Sequence, residues 1–75
     1  MNTTTLATIA NQIASDVING KLRGNMGSSA MLNVDDARKA IANNNAEAAR
    51  ASVLNAARYA YGILDSRFDA IVAAV

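Results

Sequence analysis

A chain of 75 residues suffices for one small domain, in the size range where a hydrophobic core alone is marginal and disulfides, metals or oligomerisation supplement it. Cysteine and histidine are both absent, which excludes disulfides and the usual zinc and iron ligand sets and leaves self-association as the remaining device. Seven basic against six acidic side chains leave a net charge of +1, too small a surplus for a partner held by charge, so nucleic acid is not expected.

Met1 to Ala10 lacks the basic patch and continuous apolar run of a secretion signal. No window approaches the roughly eighteen apolar residues of a membrane span, so a cytoplasmic protein is the default expectation and a membrane is not an expected partner. Within the segment the spacing is helical. Leu6, Ile9, Ala10, Ile13, Ala14, Val17 and Ile18 recur at steps of three and four, which predicts a helix from about Thr4 to Leu22. Thr8, Gln12, Ser15, Asp16 and Asn19 are expected to face away from that stripe. A threonine at positions 3 to 5 can cap its start.

Gly20, Gly24 and Gly27, with Ser28 and Ser29, then interrupt the pattern and read as a loop. Its Gly and Lys content is similar to a phosphate-binding loop, but Leu22 follows Lys21 where a metal-binding hydroxyl is needed and no strand precedes it. Lys21 and Arg23 are better placed as favourable charges at a helix C-terminus. A short second helix is expected over Val34 to Ala42, capped by Asn33, with Asp35 and Asp36 in its first turn. Asn43, Asn44 and Asn45 follow as a turn, since asparagine tolerates the left-handed backbone that ends a helix. Asn44 with Glu47 approximates a capping box for the next one.

From Ala46 to Val75 there is no proline, and Val53, Ala57, Ala60, Leu64, Phe68, Ile71 and Val75 keep helical step throughout. One long helix is the expectation, roughly 45 Å if unbroken, which is longer than a domain of this size is wide. Part of it should project, bend or meet another chain. Gly62 is its weak point, costing about 1 kcal/mol relative to alanine in a helix interior. The segment from Ala37 to Tyr61 resembles a single tetratricopeptide repeat in its asparagine turn and in Ala49, Val53 and Ala56. It lacks the large residues of that repeat's first helix and occurs once where the architecture stacks several copies, so no functional residue is carried over.

The composition shapes the functional expectation. The apolar fraction is 52% but only 4% is aromatic, and alanine buries little area at about 25 cal/mol/Å², so a second copy is expected to deepen the core. The fold expected is all-α over residues 1-75: two longer antiparallel helices with a short helix between, dimerising into a bundle. Without histidine or cysteine there is no legible nucleophile or acid-base pair, and no catalytic residue, cofactor or metal site is expected. Asp65 and Asp69, one turn apart, are expected to be a solvated face. The role expected is a small non-enzymatic adaptor or inhibitor of a larger protein, of a kind that phages and mobile elements also encode. Val53, Leu64, Phe68 and Ile71 are expected to hold the homodimer, and Arg50, Arg58, Tyr61 and Arg67 to form the presented surface. The alternatives are a filament-type structural subunit, or a weak nucleic-acid regulator that gains a basic surface on dimerising.

Overall fold

In the computed structural model, which describes residues 3–20 and 26–75, the chain forms four helices: α1 (Thr3–Ile18), α2 (Gly27–Ala42), α3 (Ala46–Tyr61) and α4 (Ser66–Ala74). The expected end of the first helix at Leu22, and Lys21 and Arg23 of the loop, lie outside the described residues. No strand forms among the described residues, and none of the helices is long and apolar enough to cross a membrane. The all-α class therefore stands, but the arrangement differs from two rods with a short connector.

Two differences have local causes. The second helix begins at Gly27 instead of Val34, and the reason is packing: Ala30, Val34 and Ala37 are buried at steps of four and three, and Ile41 packs beside them. That burial outweighs the poor helix propensity of Gly27, Ser28 and Ser29. Asn33, expected as a cap, lies inside the helix and donates to the Ser29 carbonyl at 2.9 Å. Asp35 is likewise interior and pairs with Arg38 at 3.7 Å, both on the exposed side.

The second difference is the break in the expected long helix. Gly62 adopts φ 85°, a left-handed conformation open to glycine at little cost, and its amide closes α3 on the Arg58 carbonyl at 2.9 Å. Asp65 then starts α4, its carboxylate accepting from the Arg67 amide at 2.8 Å. A C-terminal glycine and an N-terminal aspartate three residues apart outcompete a continuous helix. The turn keeps the molecule within 32 × 22 × 15 Å, shorter than the rod would be.

Between α2 and α3 the asparagines act as expected, one residue late. Asn44 takes φ 54°, and Asn45 caps α3 by accepting from the Ala48 amide at 3.1 Å. This places Glu47 in the first turn, where the helix dipole favours its charge. The hairpin of α2 and α3 is the most extensive packing in the molecule, α1 lies across both, and α4 rests on α3.

The core is made chiefly of small residues. Among the described residues, eight of the thirteen buried apolar side chains are alanines, so the helices approach closely and the large fully buried anchors reduce to Leu6, Ile13, Val34 and Val53. Few anchors make each one expensive to remove. Leu6→Ala is expected to cost about 2–5 kcal/mol, a large part of the stability of so small a domain, read as the shift in the urea midpoint at unchanged slope.

Candidate functional site

At one end of the molecule, the C-terminal turn of α1, the end of α3 and the start of α4 bring four ionisable side chains together. The Tyr61 hydroxyl donates to Asp16 Oδ2 at 2.6 Å, and Gln12 Nε2 donates to the other oxygen, Oδ1, at 3.1 Å. Arg67 grips Asp65 through two bonds, Nε to Oδ1 at 3.1 Å and Nη2 to Oδ2 at 2.9 Å. Its guanidinium also stacks on the Tyr61 ring, Cζ 4.2 Å from the centroid, and its Nη1 stands 4.0 Å from Asp16 Oδ2. The cluster thus ties α1, α3 and α4 to one another.

Its electrostatics follow from burial. Tyr61 is only 3% exposed, and this desolvation, followed by the hydrogen bond to Asp16 and that carboxylate's charge, pushes its phenol well above the ordinary value of 10.0. The hydrogen bond to Asp65 in turn raises the Arg67 guanidinium further above its ordinary range. Among the described residues, no buried side-chain nitrogen or oxygen lacks a partner. The cluster is satisfied internally, which suits a structural tie.

Above it lies the turn. Ile63 is 61% and Leu64 91% exposed, and both follow directly on Tyr61 and Gly62. Because the Tyr61 hydroxyl reaches Asp16, Ile18 at the end of α1, itself 77% exposed, stands at the same end of the molecule. Arg58 and Tyr59 are exposed on the last turn of α3.

The residues expected to act together are dispersed. Val53 is fully buried in the chain's own core, which leaves it no surface for a second copy, whereas Leu64 projects into solvent. Phe68 and Ile71 are partly buried against the same core. Of the expected presented surface, Tyr61 is withdrawn into the cluster and Arg67 is held by Asp65. Arg50 is half-buried and donates from Nε to the main-chain oxygen of Val75 at 3.2 Å, so only Arg58 of the four is fully at the surface. Asp65 is likewise not half of an exposed carboxylate pair: it is buried, caps α4 and binds Arg67, while Asp69 is exposed.

Asp16 and Gln12 were expected to face away from the core; Gln12 is exposed as expected, but Asp16 is buried and is the participant that periodicity missed. A signal existed. Asp16 comes three residues after Ile13 and seven after Ile9, a spacing that sets it on the edge of the buried stripe. Tyr61 supplies the hydroxyl that makes a carboxylate tolerable there.

No family model matches the chain, and neither a curated protein nor a solved structure does. The functional reading therefore stands on the geometry alone.

Tyr61 is expected to report on this cluster. Its folded-state proton is held more tightly than the unfolded one, so its contribution is complete below pH 10.0 and is lost as the pH climbs beyond, where the unfolded chain ionises first. Chemical denaturation from about pH 9 to pH 12 should show wild-type stability falling more steeply than that of Tyr61→Phe. At neutral pH the same substitution, which removes a hydrogen bond to a charged group, should cost about 1.5–3 kcal/mol.

Proposed function

We propose that this chain is a non-enzymatic interaction module, an adaptor or inhibitor that presents the turn between α3 and α4 to a larger protein. The observation that carries the reading is Ile63 and Leu64, 61% and 91% exposed, side by side in a turn. Surface turns are ordinarily built from polar residues, glycine and proline, and a local rule broken without benefit to the fold points to a benefit elsewhere. Scattered exposed aliphatics need no explanation, but these two are adjacent and stand on a base fastened by the Tyr61, Arg67 and Asp65 contacts.

The surroundings support the same use. Exposed Arg58 and Tyr59 stand on the last turn of α3, shortly before the pair in sequence, and arginine and tyrosine are enriched among interface hot spots. Tyr59 thus takes the place in the presented surface that had been expected for Tyr61. A turn held by hydrogen bonds at both helix ends also loses little conformational freedom on binding, which favours affinity.

The test is comparative capture from cells that produce the chain, with wild type, Leu64→Asp and Leu32→Asp as baits. Leu32 is 66% exposed on α2, on a different element from the turn, and serves as the control. A protein retained by wild type and Leu32→Asp and weakened about 30-fold or more by Leu64→Asp is expected. Identical binding to all three baits, or to none, counts against the turn as the presented surface. Leu64→Asp should leave the stability of the isolated chain within about 0.5 kcal/mol, because the side chain it replaces is already in water.

A further inference from the structure

We propose that α3 and α4 straighten across Gly62 into one continuous helix, and that in this form α4 packs on α3 of a second copy, giving an exchanged dimer. The first ground is the apolar stripe itself. Val53, Ala57, Ala60, Leu64, Phe68, Ile71 and Val75 are in helical register across the break, yet the turn ejects Leu64 to 91% exposure from the middle of that series. A continuous helix would return Leu64 to the line of Phe68 and Ile71.

The second ground is how lightly α4 is held. α1, α2 and α3 each bury at least three residues, whereas α4 buries none; Phe68, Ile71 and Val75 are only partly covered where they pack against the core. Its polar ties are those of Arg67 and the bond from Arg50 to the Val75 oxygen. Helices with few buried contacts are the ones that detach below the global unfolding transition.

The third ground is the choice of occupant. The face of α3 is the surface already shaped to receive Phe68, Ile71 and Val75, and a straightened chain carries α4 away from its own α3. The same face on a second copy restores the packing at no cost in complementarity, which is the logic of exchange between identical chains. What differs between the two forms is the turn. The closed form has the left-handed Gly62, the Asp65 cap and the stacking of Arg67 on Tyr61; six residues apart in a continuous helix, those two side chains would point about 120° apart around the axis and could not stack. The open form gains the helical hydrogen bonds of the turn and the cover of Leu64.

Gly62→Ala isolates that difference. A Cβ at this position meets nothing within 4 Å, so the substitution acts through backbone preference alone: alanine disfavours the positive φ of the closed form and favours the helix of the open one. Sedimentation equilibrium of the purified variant should show dimerisation strengthened about tenfold or more over wild type, with a larger helical circular dichroism signal. The amides of Ile63 to Asp65 should gain protection from hydrogen exchange, and adding Leu64→Asp should return the chain to monomer. A Gly62→Ala chain that stays monomeric up to millimolar concentration overturns the proposal, as does a dimer whose Ile63 to Asp65 amides exchange at the wild-type rate or which survives Leu64→Asp. Should Gly62→Ala lose its fold, Arg67→Met loosens the closed form with Gly62 intact and should produce the same shift; a folded monomer there overturns the proposal equally. The purified chain suffices for every arm, so failure to find a larger partner protein bears on the preceding reading and not on this one.

Discussion

Arg67 stacks on Tyr61 because the backbone reverses at Gly62, and the reversal persists because Arg67, Asp65 and Asp16 give the stacked pair its partners. Cause and support are mutual here. The turn brings a cation from α4 onto a ring of α3, and the ring's hydroxyl fastens both to a carboxylate of α1. A polar cluster that is fully partnered inside a small core is directional, so it selects one arrangement where greasy contacts tolerate several.

That selection matters because of what fills the rest of the core. Alanine lets helices approach closely and has the best helix propensity, but it offers little shape to specify how one helix sits on its neighbour. Leu6, Ile13, Val34 and Val53 provide most of that shape, from three different helices. α4 contributes none of them. It is positioned by its capped start, the Arg67 contacts and the Arg50 bond at its far end, which is why the same helix can be both ordered in the closed form and separable from it.

The functional reading and the proposed exchange both turn on Leu64, and they make different use of it. In the closed chain, Leu64 is an apolar knob on a braced turn, available to a partner of another kind. In the straightened chain it becomes one more position in a buried stripe, so a chain occupied with its own copy could not present it. The two uses compete for one side chain. Self-association would thereby withdraw the surface through which the module acts.

Much of this was legible in the residues, and the failures have specific physical origins. Helical spacing on α1 and α3, the asparagine turn and the all-α class all follow from local periodicity and backbone chemistry, which depend on near neighbours in the chain. The signals for the break were also present: glycine at position 62, then Asp65 and Ser66, form a stop and a start. Their weight against an uninterrupted stripe is a comparison of two energies of similar size, and only the packed molecule, where Arg67 finds Tyr61 and Asp16, tips it. The start of α2 at Gly27, the inward turn of Asp16 and the exposure of Leu64 belong to the same group. Each depends on residues far away in sequence. Periodicity by itself determined that these segments are helical and which side of each is apolar; tertiary structure decided where the last helix breaks, which charges are drawn inside and which aliphatics stay in water, because those outcomes are set by contacts between helices.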